Sequence, residues 1–310
     1  MTSLPSRFQN WRWLVLAGAS LLAAATGCSA KDDALPDVPP ADALEEGWEL
    51  IRVANFEDAE RYLRRALEAE EPETLAEACY AMGHLWQYRI MDEDLAQARQ
   101  YYQRVVDEFP TSRTAAWAML ALARMESLPK TEKDQDIDQA RQMYQQIIED
   151  YPGQIPAHEA AYRYAHTFLE QAQDLEAQQE GIDYLLDYIQ KYPETYLAAV
   201  MFYDIAGVYT FQKQWTKAVD FYIRADEKDQ QFEQRFGDRT LSFNRRSVMY
   251  FQIAQIAEHE LKNYDLAIKW YRRIVNDLDR DNRQYWARKS IERLTGAQQE
   301  PSDADDGSRS

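Results

Sequence analysis

The chain has 310 residues, with 53 Asp and Glu against 35 Lys and Arg, and its formal net charge is −18. This acidic balance argues against a nucleic-acid binder, because a phosphate backbone needs a basic surface, and against broad adhesion to anionic lipid. Only 10 Gly residues accompany 20 Tyr residues, and the abundance of Ala, Gln, Glu and Leu favours helix over sheet.

The first 27 residues have the features of a signal peptide. Arg7 and Arg12 form a positive region, and residues 13–25 follow as an apolar run. This run is too short to span a bilayer, which needs ~20 apolar residues. Residues 1–27 are therefore predicted to be removed from the mature protein.

The segment Ala25-Thr26-Gly27-Cys28 resembles a bacterial lipobox. The resemblance implies cleavage before Cys28 and attachment of lipid to it, which would hold the protein at a membrane. The alternative is ordinary signal-peptide cleavage, with Cys28 incidental. Because Ser29 stands where inner-membrane lipoproteins carry Asp, the resemblance also implies the periplasmic face of the outer membrane.

Two segments are predicted to lack regular structure. Residues 28–41 comprise the lipidated Cys and a flexible tether, because Pro36, Pro39 and Pro40 discourage helix. Residues 296–310 are polar and lack apolar content, which predicts a disordered tail.

An internal repeat of about forty residues runs through residues 42–295. Three segments that align without gaps each end in an aromatic-Pro pair, and these prolines lie 42 and 41 residues apart. The pairs are Phe109-Pro110, Tyr151-Pro152 and Tyr192-Pro193. Each Pro is expected to end the preceding helix, because it lacks the N–H that the helix needs.

A small residue recurs at one position of each repeat, followed by large apolar residues on the same helix face. These small residues are Ala59, Ala98, Ala140, Gly181, Ala218 and Ala267. A second amphipathic segment precedes most of them, with its own small residue at Gly83, Ala123, Ala165, Ala206 or Ala254. The pattern predicts six helix pairs, and residues 282–295 as a final helix that covers the last pair.

This arrangement resembles the tetratricopeptide repeat. The resemblance rests on Phe202-x2-Ile205-Ala206-x2-Tyr209 and on the later Trp215-x2-Ala218-x3-Tyr222-x2-Ala225. It implies an all-α, TPR-like α-solenoid of about six helix pairs plus a C-terminal capping helix. A helical bundle would need no fixed period, and the prolines exclude a long coiled coil.

No motif for catalysis or for a cofactor is present in the sequence. It contains neither a Gly-rich nucleotide loop nor an H-E-x-x-H motif, and its two cysteines lack zinc spacing. Cys79 lies on a predicted helix and is interpreted as a buried, inert thiol. We therefore expect a protein that is not an enzyme and that has no catalytic residues, no metal and no cofactor.

The first helices of stacked pairs are expected to line a groove that binds other proteins. The groove candidates are Tyr80, His84, Gln87, Trp117, Arg124, Tyr162, His166, Tyr203, Thr210, Phe251 and Gln255. Tyr80, Tyr162 and Tyr203 occupy the same place in their repeats, and a row of Tyr side chains suits peptide recognition. Packing of these aromatic residues between repeats is an equal alternative.

One repeat is longer than the others. The step from Ala218 to Ala267 is 49 residues, and the additional residues include Phe232, Arg235, Phe236 and Arg239. A long insertion in a solenoid often belongs to a binding face, so these four residues form a second candidate site. The alternative is a longer loop with a lengthened helix.

The lipobox and the Tyr-Pro-terminated repeats together resemble the BamD-type outer-membrane assembly lipoproteins. This resemblance implies a lipid-anchored, protein-binding scaffold of the bacterial cell envelope. Its expected partners are other envelope proteins or peptide segments, with the membrane contacted through Cys28. The alternative is a TPR adaptor for peptidoglycan, cell-division, pilus or secretion machinery.

Overall fold

The computed structural model describes residues 37–89, 92–127, 136–170, 174–237, 240–278 and 281–299. For residues 240–244 and 297–299 it describes the helical backbone and not the side chains. The described residues form thirteen α-helices and no strand. In chain order these are α1 (Pro40–Arg52), α2 (Phe56–Ala66), α3 (Pro72–Tyr88), α4 (Leu95–Glu108), α5 (Ala115–Ser127), α6 (Ile137–Asp150), α7 (Ile155–Leu169), α8 (Leu175–Lys191), α9 (Ala198–Phe211), α10 (Trp215–Phe236), α11 (Thr240–Gln255), α12 (Tyr264–Asp277) and α13 (Arg283–Gln299).

Thirteen helices make six pairs and one final helix, which confirms the predicted all-α, TPR-like architecture. Helices α1, α3, α7, α9 and α11 each pack against the helix that follows them, and α13 packs against α12. Odd-numbered helices are called first helices below, and even-numbered ones second helices. A π-helical turn, Ile256–Glu260, continues α11.

Side-chain caps mark where the second helices begin. Five of the six start directly after an Asn or Asp whose side chain accepts a hydrogen bond from a backbone N–H in the first turn. These residues are Asn55, Asp94, Asp136, Asp174 and Asn263. Each oxygen satisfies an N–H group that would otherwise lack a partner within the helix.

The small residues of the repeat are buried as predicted. The five alanines of the second helices, from Ala59 to Ala267, are 0% exposed, and Gly181 is buried at the equivalent position. A Cβ atom on Gly83 of α3 would lie 2.7 Å from the ring of Tyr102 in α4. The two helices of this pair are therefore close enough to require the absence of a side chain.

The chain divides into two compact units, unit 1 up to Met143 and unit 2 from Tyr144 onwards. The hydrophobic clusters of unit 1 draw buried residues from α1 to α5. The core of unit 2 joins residues from α7 to α13 in one cluster.

Two element boundaries differ from the prediction. Helix α1 begins at Pro40, within the predicted tether, because a Pro in the first turn sacrifices no helical hydrogen bond. Helix α13 ends at Gln299, four residues past the predicted boundary at 295. The insertion lengthens α10 to 22 residues, as the alternative interpretation of the insertion predicted, and the helix ends at the left-handed Gly237 (φ 70°).

Candidate protein-binding surface

The first-helix face of unit 1 contains five rings in contact, which we name the aromatic cluster: Trp48, Tyr80, His84, Tyr88 and Tyr102. Tyr80 is only 6% exposed, and its ring centroid lies 5.5 Å from that of Tyr102 and 6.2 Å from that of Trp48. The ring of His84 lies 5.5 Å from Trp48 and 4.6 Å from Tyr88. Three helices, α1, α3 and α4, are thereby joined.

Arg124 brings a positive charge to the aromatic cluster. It follows Trp117 and Ala121 at helical spacing, so the three residues share one face of α5. Trp117 and Ala121 pack in the same hydrophobic cluster as Tyr80 and Tyr102. The Nε of Arg124 is buried and has no hydrogen-bond partner, a state that costs about 1–3 kcal/mol for a polar group.

The groups around Arg124 are neutral near pH 7. Burial, and to a lesser extent the positive charge of Arg124, lower the pKa of His84 to about 4. Burial also raises the pKa of Tyr80 and Tyr102 above its ordinary value, against the opposing effect of Arg124. The Tyr102 hydroxyl donates a 2.7 Å hydrogen bond to Gln87 Oε1. Tyr80, His84, Gln87, and Arg124 of the predicted groove thus belong to one environment.

The equivalent face of unit 2 is organised around Asp204 of α9. Its Oδ2 accepts a 2.8 Å hydrogen bond from the Tyr162 hydroxyl and lies 3.0 Å from Nε2 of His166. The rings of Tyr162 and His166 also meet edge to face, with centroids 4.4 Å apart. Asp204 therefore connects α9 to two predicted groove residues of α7.

Two carboxylates determine the charge state of His166. Burial alone would lower the pKa of His166, but the hydrogen bond with Asp204 and the negative charges of Asp204 and Glu170 raise it above its usual value. Glu170 Oε1 lies 3.5 Å from Nδ1 of the same ring. The protonated imidazolium is therefore favoured here, whereas His84 of unit 1 is held neutral.

The remaining predicted groove residues of unit 2 contact the second helix of their own pair. The Tyr203 ring lies 5.5 Å from that of Tyr222, and the Thr210 hydroxyl lies 3.4 Å from the Tyr222 hydroxyl besides donating a 2.8 Å bond to the Ala206 carbonyl of its own helix. Phe251 lies 6.3 Å from the ring of Tyr271, and Gln255 Nε2 donates a 2.6 Å bond to the Tyr271 hydroxyl. All four are partly exposed, so they combine packing with accessible surface.

The predicted insertion site lies on the last turns of α10. The rings of Phe232 and Phe236 are 4.5 Å apart, and Phe236 is 54% exposed. Arg235 lies over the Phe236 ring at 5.2 Å and pairs with Glu194. Arg239 lies outside the described residues.

A buried ion network, which the sequence interpretation missed, connects α10, α11 and α12. Asp226 is 2% exposed and accepts hydrogen bonds from the Tyr250 hydroxyl (2.7 Å) and from Arg273. Asp229, 4% exposed, accepts a 3.1 Å bond from Nε of Arg245. Arg246, the next residue of α11, donates a 2.6 Å hydrogen bond to Glu233 of α10. The basic side chains of α11 are thus neutralised within the protein.

The sequence contained a signal for this network. Asp226 and Asp229 follow Tyr222 by four and seven residues, so they continue the buried face of α10 rather than its solvated face. Two acids on a core face require buried cations, and Arg245 and Arg246 are the nearest basic pair along the chain.

Cys28 and the predicted signal peptide, residues 1–27, lie outside the described residues. Within the part of the chain that the structure describes, no helix is long and apolar enough to cross a membrane. The same residues contain no group of three or more His, Cys, Asp or Glu side chains arranged to hold a metal ion. Cys79 is buried, and burial raises the pKa of its thiol to about 11.

Two tetratricopeptide-repeat family models match the chain, over residues 44–113 and 115–153. Both matches agree with the helix pairs described above, and they show that the chain contains tetratricopeptide repeats. No curated protein matches its sequence.

Solved structures with the same fold include two proteins of similar length. One is pilF of Pseudomonas aeruginosa, with a TM-score of 0.51 and 13% identity over 83% of this chain and 97% of pilF. The other is PilW, a widely conserved type IV pilus biogenesis factor, with a TM-score of 0.50 and 12% identity over 83% of this chain and 98% of PilW. At such identities the similarity supports the fold alone.

Proposed function

We propose that this protein is a lipid-anchored scaffold of the bacterial cell envelope that binds other proteins through its first-helix faces. It acts by binding and uses neither a metal nor a cofactor. The observation that carries the proposal is the succession of a lipobox-like segment ending at Cys28 and a set of tetratricopeptide helix pairs. Such repeats serve as surfaces for protein recognition.

The lipid anchor is tested by substituting Cys28. In cells supplied with an alkyne-labelled fatty acid, we expect the wild-type protein to be labelled and to sediment with outer membranes. Cys28→Ala is expected to lose both properties, because the lipid attaches to this thiol. The matched control is Cys79→Ala, whose thiol is buried in a helix. Labelling that persists in Cys28→Ala contradicts the lipid anchor.

The binding face is tested by photo-crosslinking from two Tyr positions. A photoreactive phenylalanine is placed at Tyr203 on first helix α9 or at Tyr264 on second helix α12; both positions are partly exposed. We expect an envelope protein to be crosslinked from Tyr203 and not from Tyr264. Equal capture from both positions, or from neither, contradicts the assignment of binding to the first-helix face.

The identity of the crosslinked protein decides between two envelope roles. Recovery of a membrane β-barrel insertase supports outer-membrane protein assembly, the role implied by the resemblance to BamD-type lipoproteins. Recovery of a pilus-assembly component supports the alternative role as an adaptor of pilus or secretion machinery. The double variant Tyr162→Ala, Tyr203→Ala is expected to weaken capture of either partner while its helical circular dichroism persists.

A further inference from the structure

We propose that helix α13 carries a second membrane contact, a face that binds the headgroup region of an anionic phospholipid bilayer. This proposal rests on the lipid anchor proposed above, which would hold the protein beside a bilayer. We name this surface the basic aromatic face, and it consists of Tyr285, Trp286, Arg288, Lys289 and Arg293. All five residues are exposed.

Two large rings of this face are left in solvent. Tyr285 is 60% exposed and Trp286 is 63% exposed, and their rings meet edge to face with centroids 5.4 Å apart. A phenol and an indole each combine an apolar body with one polar hydrogen-bonding group, and such side chains concentrate at the headgroup level of membranes. The pair can therefore enter a bilayer interface without leaving its polar groups unsatisfied.

The opposite side of α13 fixes the orientation of the rings. Ala287 and Leu294 are buried in the core of unit 2, and Arg293 bonds to the buried Glu258 of the π-helical turn. Tyr285 and Lys289 are four residues apart and lie on the side of the helix turned away from Ala287. The basic aromatic face is thus presented by a helix that is packed firmly against its neighbours.

The charge around this face is opposite to that of the chain as a whole. Residues 261–299 contain nine Lys and Arg against five Asp and Glu, whereas the whole chain has a net charge of −18. Arg288 forms no ion pair among the described residues. Lys289 pairs with Glu292 at 2.8 Å, but both side chains are more than half exposed, and such a pair contributes at most about 1 kcal/mol. Both cations can therefore bind lipid phosphate at little cost.

The acidic remainder of the protein makes this contact oriented. Anionic lipid repels most of the surface, so general adhesion is not expected, and the basic aromatic face is the part that can approach. Each basic side chain near such a surface raises the affinity about fivefold. A weak contact of this kind is marginal and reversible by itself, and it becomes effective when a lipid anchor supplies the other signal.

Two considerations favour a bilayer over a second protein molecule. The two rings can bury roughly 300–500 Å², which is less than the about 800 Å² that each partner contributes to a stable protein interface. A symmetric contact between two copies of this chain would bring identical basic faces together. Their like charges would repel each other, whereas anionic headgroups would neutralise them.

Partition of the mature chain without its lipid tests the basic aromatic face. Residues 28–310 carrying Cys28→Ala are sedimented with sucrose-loaded vesicles made of three parts phosphatidylethanolamine and one part phosphatidylglycerol. We expect reversible binding at millimolar lipid, too weak to retain Cys28→Ala on washed membranes. Binding should weaken when NaCl rises from about 0.1 M to about 1 M, because the screening length falls from about 10 Å to about 3 Å. Vesicles of phosphatidylcholine alone should not bind the protein.

Charge variants assign the electrostatic part of the binding. The double variant Arg288→Gln, Lys289→Gln is expected to weaken partition about thirtyfold, since each cation contributes about fivefold. The control Lys213→Gln, Lys217→Gln removes the same charge from two exposed lysines of unit 2, and it should partition as the parent chain does. Circular dichroism verifies that each variant keeps its helices.

Ring variants assign the apolar part of the binding. Trp286→Ala is expected to weaken partition about tenfold, because the indole no longer leaves water for the interface. Phe211→Ala is the matched control, since Phe211 of α9 is 62% exposed and lies outside the proposed face. It should leave partition unchanged.

Several outcomes overturn the membrane contact. These are no binding of the parent chain to the anionic vesicles at millimolar lipid, unchanged partition of Trp286→Ala, and an equal loss in the control variants. A photoreactive phenylalanine at Tyr285 identifies any other occupant in cells. A crosslink to phospholipid supports the contact, whereas a crosslink to a second copy or to another protein overturns it.

Failure of this contact is distinguishable from failure of the proposed function. The vesicle experiment uses a chain with Cys28→Ala, so its result does not depend on whether Cys28 is lipidated. Absence of partition, together with fatty-acid labelling at Cys28 and partner capture from Tyr203, leaves the lipid-anchored scaffold standing and removes the basic aromatic face.

Discussion

The two units share one repeat architecture but differ in how the charged side chains near their first-helix faces are paired. In unit 1 a single cation, Arg124, lies beside neutral rings and has no acceptor for its Nε. On the corresponding face of unit 2, Asp204 contacts both Tyr162 and His166. The arginines of α11 in the same unit are paired with buried carboxylates. These charges of unit 2 connect helices, as the pairs Arg99–Glu126 and Arg89–Glu60 do in unit 1, whereas Arg124 forms no such pair among the described residues.

This difference has an energetic consequence. A buried ion pair recovers its desolvation cost only if each partner stays in place, so removal of one partner leaves an uncompensated charge. The Nε of Arg124 is a buried donor that already lacks a partner, so replacement of this side chain by an apolar one is expected to relieve the protein. Substitutions of Asp226 in unit 2 and of Arg124 in unit 1 should therefore change the free energy of unfolding with opposite signs.

The largest expected effect is that of Asp226→Ala in unit 2. The substitution removes the acceptor of Tyr250, Arg273 and Gln230 Nε2 (2.6 Å) from a buried site. We expect a loss of about 3–5 kcal/mol in the free energy of unfolding, measured by chemical denaturation. The control Asp220→Ala, on the same helix, breaks an exposed pair with Arg224, and it should change stability by at most ~1 kcal/mol. Similar losses in both variants would contradict a special role for the buried network.

The second effect concerns close packing within a helix pair. Gly83→Ala places a Cβ 2.7 Å from the buried Tyr102 ring, and the overpacking is expected to cost about 1–3 kcal/mol. Gly207→Ala on α9 is the control, since a Cβ there meets no atom within 4 Å. It should stabilise the protein by about 0.5–1 kcal/mol, because Ala favours helix. Thermal and chemical denaturation would reveal the opposite signs, and a shared sign would refute the packing argument.

The third effect is a gain in stability. Arg124→Leu in unit 1 removes an unsatisfied buried donor and leaves an apolar side chain beside the aromatic cluster, so we expect about 1–2 kcal/mol of stabilisation. A destabilised Arg124→Leu protein would mean that the guanidinium has a structural partner after all.

The helix pairs could be predicted from the sequence because their determinants are local and periodic. An Ala or Gly at each crossing, such as Ala98 or Gly181, and a Pro after each second helix such as Pro110 mark one repeat after another. The Asn and Asp caps before the second helices carry the same information, although the prediction did not use them. Such signals depend on neighbours within one helix or one turn.

The electrostatic difference between the units could not be predicted in the same way. Tyr162 and its equivalent Tyr80 have the same place in the repeat, yet one hydroxyl donates to Asp204 and the other residue is packed among rings. Whether Arg124 has a partner depends on side chains contributed by other helices, and the repeat pattern does not specify them. The candidate groove residues were therefore chosen by their position in the repeat, while their chemistry depends on tertiary packing.

The smallest effect is a dependence on pH with opposite signs in the two units. The pKa of His84 in the folded protein is lowered from 6.5 to about 4, so between these values the unfolded chain binds more protons. Its contribution to stability is therefore lost as the pH falls, by about 1 kcal/mol from pH 6.5 to pH 5.5.

His166 should behave in the reverse manner. Its folded-state pKa is raised above 6.5, so its contribution is complete below pH 6.5 and is lost as the pH rises through the folded-state pKa. Chemical denaturation across pH should show that His84→Phe removes the loss on the acidic side and that His166→Phe removes the loss on the basic side. Titration of the two imidazoles by NMR provides the direct measurement. Parallel titration curves would show that the neutral face of unit 1 and the carboxylate-centred face of unit 2 do not differ in the way described.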